Sequence, residues 1–225
     1  MSGAVERIRV WDLPTRIFHW ALVVLVVFSF ATGKIGGDWM KWHLRSGYTI
    51  LTLVLFRIAW GVLGSETARF AHFVRGARAV VAYSRATFAR LRPAVVGHNP
   101  AGGWMVVLML AALAVQAATG LFSDDEIATQ GPLAAKVSEA VVSRMSALHA
   151  VNQWVLVALA GLHVVAIAFY HYRWGVRLVG PMIHGYAPTP PGTPAPARRP
   201  AWLALIVLAA CAAAVYALVV VYPMR

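Results

Sequence analysis

The sequence predicts an all-α integral membrane protein: a four-helix transmembrane bundle followed by a fifth, C-terminal transmembrane helix. Three observations carry this. The chain has 225 residues, of which 60% are hydrophobic and only 12% charged, and its mean hydropathy is +0.68, a balance outside the range of soluble domains. Five apolar runs are each long enough to cross a bilayer, which takes about 20 mostly apolar residues. The basic residues gather in alternate connections between those runs, as membrane topology dictates.

The runs follow in order. The first covers residues 15–32 and is entered through Pro14, a residue suited to the first turn of a helix. The second covers 43–63, the third 103–122, the fourth 147–172 and the fifth 202–221. Residues 1–187 form the four-helix unit. Residues 188–200, PTPPGTPAPARRP, form a Pro-rich linker that cannot be helical. Residues 201–225 carry the fifth helix, with Cys211 and Tyr216 its only ionisable side chains within the span. It reads as an anchor or a packing surface for a partner subunit.

The formal charge of +12 does not point to nucleic acid, because the positive residues sit mostly in the gaps between apolar runs. The connection 64–102 holds Arg69, Arg75, Arg78, Arg85, Arg90 and Arg92 against one acid, Glu66. The N-terminus holds Arg7, Arg9 and Arg16, and the segment after the fourth run holds Arg173, Arg177, Arg198 and Arg199. In the other two connections Lys34, Lys41, Lys136 and Arg144 are balanced by Asp38, Asp124, Asp125, Glu126 and Glu139. The N-terminus is therefore expected in the cytoplasm and the C-terminus on the far side of the membrane. The first residues show no cleavage site of a removed signal peptide. One cysteine, Cys211, excludes an intrachain disulfide and a four-cysteine iron–sulfur cluster.

The fourth run carries His149 and His163, fourteen residues apart. That spacing is almost four helical turns and a rise of about 21 Å, so both imidazoles share one face, one towards each leaflet. Ionisable groups inside a span are costly and usually functional. His19 lies near the cytoplasmic start of the first helix and His43 near the outer start of the second. Depth alone makes two pairs, His43 with His149 and His19 with His163. Each pair joins two helices, the arrangement that bis-imidazole ligation of a haem iron requires. The bundle thus reads as a dihaem one.

Fourteen residues beyond His19 stands Gly33, and fourteen beyond His43 stands Arg57. Gly33 leaves room at the level of the outer haem, and Gly47, one turn from His43, clears space on the ligand's own face. Arg57, buried in LVLFRIAWG, needs an anion; a haem propionate fits, with a lipid phosphate or Glu66 as alternatives. His171 reads as interfacial, and His72, His98 and His184 as solvated loop residues. Trp39, Trp42, Trp60, Trp104, Trp174 and Trp202 read as interfacial belts.

The stretches WDLPTRIFHW, WHLRSGYTILTLVLFRIAWG, LHAVNQWVLVALAGLHVVAIAFYHYRW and RLVGPMIHG resemble the bacterial cytochrome b561 family, which includes the cytochrome b subunits of nickel–iron hydrogenases. The likeness spans about residues 10–185. It implies two haem b groups held by His19, His43, His149 and His163, with the histidine-free third helix supplying packing only. The expected function is electron transfer across the membrane between the quinone pool of a respiratory chain and a periplasmic redox partner: a hydrogenase, another dehydrogenase or a c-type cytochrome. The loop starting SDDE, at Ser123, is a candidate docking surface. Expected partners are membrane lipid, quinone and that redox protein, with homo-oligomerisation open. One rival is a self-contained quinone-linked oxidoreductase, such as a superoxide oxidase, drawing anions with Lys34, Lys41 and Arg45. The other is a haem-free membrane anchor or a transporter; the absence of an inverted repeat or buried acid speaks against transport.

Overall fold

The computed structural model describes residues 6–89 and 95–224. Arg90 and Arg92, counted above among the loop cations, and the first five residues of the segment read as uncleaved lie outside the described residues. Five helices are long and apolar enough to cross a membrane. The first, α1 (Leu13–Ile35), starts where the Asp12 carboxylate accepts the Thr15 amide at 2.8 Å, with Pro14 in the first turn. It stops at Gly36, whose φ of +70° favours glycine. One 3-10 turn later α2 (Met40–Leu63) runs back antiparallel. Two short helices follow, α3 (Phe70–Phe73) and the amphipathic α4 (Ala77–Phe88). The third and fourth spans are α5 (Pro100–Gly120), capped by Asn99 through the Gly102 amide, and α6 (Glu139–Trp174). After α7 (Val179–His184), α8 (Ala201–Tyr216) supplies the fifth span, which continues to Val221.

Two hairpins, α1–α2 and α5–α6, make the bundle, and α8 lies along α2. The centre is α2, which buries Ile50, Leu51, Val54, Phe56, Arg57 and Trp60. Phe18, Phe56, Leu110, Ala204 and Val207 meet in one cluster, so α1, α2, α5 and α8 share a core there.

One end of the bundle is closed by a two-stranded ribbon. The strand β1 (Glu6–Arg9) pairs antiparallel with β2 (Tyr186–Thr189), from Glu6↔Thr189 to Arg9↔Tyr186. The amides of Val10 and Trp11 donate to the Gly185 carbonyl, and the Thr67 hydroxyl donates to the Val10 carbonyl at 2.7 Å. This is the sheet end. The Pro-rich segment is laid against it: the Glu66 carboxylate accepts the Ala197 amide, and Ser65 Oγ accepts the Arg199 amide. The other end carries the loop of Asp124, Asp125 and Glu126 and is the acidic-loop end.

Three expectations need correction here. The fourth helix begins at Glu139, eight residues before the apolar run, because the ordinary helix formers of that stretch extend it beyond the bilayer. Its 36 residues span about 54 Å, more than the roughly 40–45 Å of a bilayer with its headgroups. Trp60 is not a belt residue: it is 0% exposed, and its indole N–H donates to Asp12 Oδ2 at 3.0 Å. His184 is not a free loop residue; it ends α7, and its Nδ1 accepts the Tyr186 amide.

Candidate functional site

The antiparallel hairpins bring the four predicted histidines into two facing pairs. His43 of α2 and His149 of α6 lie at the acidic-loop end with ring centroids 6.0 Å apart. His19 of α1 and His163 of α6 lie towards the sheet end at 6.5 Å. Two imidazole nitrogens each about 2 Å from one metal ion hold their ring centroids roughly 6 Å apart, so both separations suit a shared ion. Among the described residues no three His, Cys, Asp or Glu side chains converge. Each pair offers two imidazole ligands, and a porphyrin would supply the others.

At the acidic-loop end the ligand tautomers follow from hydrogen bonding. His43 Nδ1 lies 2.8 Å from the Ser29 carbonyl, and His149 Nδ1 lies 2.9 Å from the Gln116 carbonyl. A carbonyl only accepts, so each Nδ1 carries the proton and each Nε2 keeps its lone pair. This is the second-shell arrangement that orients metal-binding histidines. The two hairpins use one device twice. Ala31-Thr32-Gly33 lies near the end of α1 and Ala118-Thr119-Gly120 ends α5. In each, the threonine hydroxyl turns back onto its own helix, Thr32 to Phe28 and Thr119 to Val115. The carbonyl that receives the imidazole lies three residues earlier, and the glycine backs the ring. A Cβ on Gly33 would stand 2.8 Å from His43 Nδ1, and one on Gly120 would stand 3.0 Å from His149 Cε1.

Gly33 therefore clears the imidazole itself rather than open space beside it. Gly47 has no atom within 4 Å of its would-be Cβ. The third span does more than pack. Its Gln116 accepts at its carbonyl from His149, and its side chain accepts from Asn152 at 2.7 Å and donates to the His149 carbonyl at 3.1 Å. Sequence reasoning missed Ser29, Gln116, Thr119 and Gly120; the repeated Ala-Thr-Gly was the available signal.

The repeat breaks at the sheet end. Arg57 follows His43 by the spacing at which His163 follows His149, so an arginine stands on α2 where α6 carries a ligand. Arg57 is 2% exposed, and its two terminal nitrogens have no hydrogen-bond partner. Its guanidinium lies over the rings of Phe70 and Phe73 at 5.0 and 5.8 Å. Glu66 is excluded as its partner, since that carboxylate faces His72 at 3.5 Å and the Ala197 amide. Burial removes the lipid phosphate. The other unpartnered buried polar atoms among the described residues are Arg9 Nε, Thr15 Oγ1, Arg16 Nε, His19 Nδ1 and His98 Nδ1. All belong to the sheet end, and most are donors or able to donate, which is what a group bearing carboxylates needs.

His98 is not a solvated loop residue. Its ring is wedged against Trp11 at 4.6 Å and Phe73 at 4.7 Å. Burial, then the nearby Arg57 charge, pulls its pKa down to about 3. His72 stays in a turn beside Glu66, and His171 is exposed near the end of α6.

A polytopic helical bundle with facing histidine pairs at two depths has the architecture of a membrane haem protein. The family model for prokaryotic cytochrome b561 matches residues 10–185, and the chain belongs to that family. It is a membrane-spanning b-type cytochrome of electron transfer, and its family binds haem b. A comparison with curated proteins finds no match.

Proposed function

We propose that this chain holds two haem b groups, one between His43 and His149 and one between His19 and His163, and that it moves electrons across the inner membrane between quinone and a periplasmic redox protein. The observation that carries the reading is the pair of facing imidazole couples about four turns apart on α6. Haem supplies one-electron chemistry when bound. The chain's own residues hold and tune it: Ser29 and Gln116 fix the ring orientation of one couple, and Arg57 sets a positive charge beside the other. Buried charge and ligand hydrogen bonding are the levers that set haem potentials.

In this reading the sheet end, with its arginines, faces the cytoplasm and the acidic loop faces the periplasm. Two of the three cations of the superoxide-type rival lie over rings: Lys34 over Phe30 and Trp154, and Arg45 over Trp42. The test is a reduced-minus-oxidised spectrum of the detergent-purified chain with a haem-to-protein ratio. Two haems per chain are expected, falling to one in His163→Ala and in His149→Ala, with a different one lost in each. Two six-coordinate low-spin haems in both variants would falsify the pairing, and a folded chain without haem would leave the anchor.

A further inference from the structure

The four residues Gly97-His98-Asn99-Pro100 turn one imidazole inward. Gly97 has φ +90°, which favours glycine, and a Cβ there would press on Thr67 at 3.4 Å. Asn99 caps α5 and donates to the Tyr170 hydroxyl at 3.2 Å, while Pro100 opens the helix. Between them His98 is fixed against Trp11 and Phe73, and Phe73 also lies under the Arg57 guanidinium. His98 Nδ1 and both Arg57 terminal nitrogens are buried without partners. The charge His98 feels most is Arg57, followed by His163 and His19.

The described acids at this end all hold other donors, including Asp12, whose charge is the one that acts on Arg57. Glu6 accepts the Gly192 amide, Asp12 accepts Thr15 and Trp60, and Glu66 accepts Ala197 and faces His72. A buried donor left without an acceptor is costly, and more so when charged, and an acceptor from outside the polypeptide would meet these groups.

We propose that His98 is the second wall, with Arg57, of a cradle for a haem carboxylate at the His19/His163 couple. This rests on the dihaem reading above. His98 acts through that carboxylate as a positioning residue: by donating to it, the imidazole lowers the electron density that the carboxylate lends the haem and so raises the potential.

The experiment is a potentiometric titration of the purified holoprotein, with the inner haem identified as the one lost in His163→Ala. In His98→Leu the reduction equilibrium constant of that haem should fall about tenfold, which is 59 mV for a one-electron couple, while the outer haem holds its wild-type value. His98→Gln, which keeps a donor, should recover most of the shift. Loss of the inner haem alone in His98→Leu, with retention in His98→Gln, supports the cradle equally. An unchanged inner potential in His98→Leu, equal shifts of both haems, or loss of both haems in both variants overturns it. A wild-type chain without haem overturns instead the reading on which the cradle rests.

Discussion

The couple at the acidic-loop end shows how tightly single residues define the site. Gly33 and Gly120 are required by contact rather than by backbone freedom, since each faces a ring that a Cβ would displace. At Gly33 the would-be Cβ meets His43 Nδ1, the atom bonded to the Ser29 carbonyl. Gly33→Ala therefore breaks that bond or turns the ring. Losing a second-shell partner typically costs roughly 10–100-fold in metal affinity. On the proposed dihaem reading, the variant is expected to lose the haem at the acidic-loop end in detergent while keeping the other, and Gly120→Ala, with its looser contact, to lose less. Haem-to-protein ratios decide the matter; a Gly33→Ala protein with wild-type content and spectrum would show that the ring does not need this clearance. The couple at the sheet end has no such carbonyl at His19 Nδ1, and Arg57 and further donors stand unpartnered at that same end.

Among the elements, the acidic loop is built around one carboxylate. Asp125 Oδ1 accepts the amides of Thr129, Ala128 and Ile127 at 2.8, 2.9 and 3.0 Å, and Glu126 takes φ +57° to close the turn. The loop is anchored to α5 by the Gly131 and Leu133 amides on the carbonyls of Ser123 and Leu121. It presents Ile127, 90% exposed, at its tip. The Thr129 amide, with those of Ile127 and Ala128, holds the Asp125 carboxyl below its usual range. A depressed folded pKa contributes order that is complete above the unfolded value, near about 3.9, and lost as pH falls through the lower folded value. The loop is thus expected to be indifferent to pH across the neutral range and to loosen only in strong acid. Asp125→Ala should raise amide exchange at Ile127, Ala128 and Thr129 already at pH 7, read by hydrogen–deuterium exchange; unchanged protection would show that the turn holds without its carboxylate. None of this loop geometry was legible beforehand, because an exposed SDDE reads the same whether it is a solvated run or an ordered turn. The start of α6 was hidden for a related reason: hydropathy registers bilayer crossing, not helicity beyond it.

At the scale of the whole molecule, the parts read correctly from sequence were those set by periodicity and averaging. Five spans follow from hydropathy, and the depths of the paired histidines follow from the fourteen-residue spacing on α6 and the alternating direction of the spans. The parts missed depend on chain segments far apart in sequence: β1 with β2, Trp60 with Asp12, and His98 with Trp11 and Phe73. The same fold separates charge along its axis. Among the described residues the sheet end gathers Arg7, Arg9, Arg16, Arg69, Arg75, Arg78, Arg85, Arg173, Arg177, Arg198 and Arg199 against Glu6, Asp12 and Glu66. At the acidic-loop end Lys34, Lys41, Arg45, Lys136 and Arg144 face as many acids. Orientation follows the Lys and Arg excess in connections near the span ends, and the excess here lies on one side only. The sheet end is therefore expected in the cytoplasm. Cys211, the single cysteine, sits within α8, so a Cys211→Ala background gives a clean reporter. In it, Ile127→Cys in the acidic loop and Arg198→Cys in the exposed Pro-rich segment place one thiol at each end. A membrane-impermeant maleimide applied to intact spheroplasts should label the first and spare the second until the membrane is opened. The reverse pattern would turn the bundle over, put the Arg57 side of the molecule in the periplasm, and move the docking face for a periplasmic partner from the acidic loop to the ribbon.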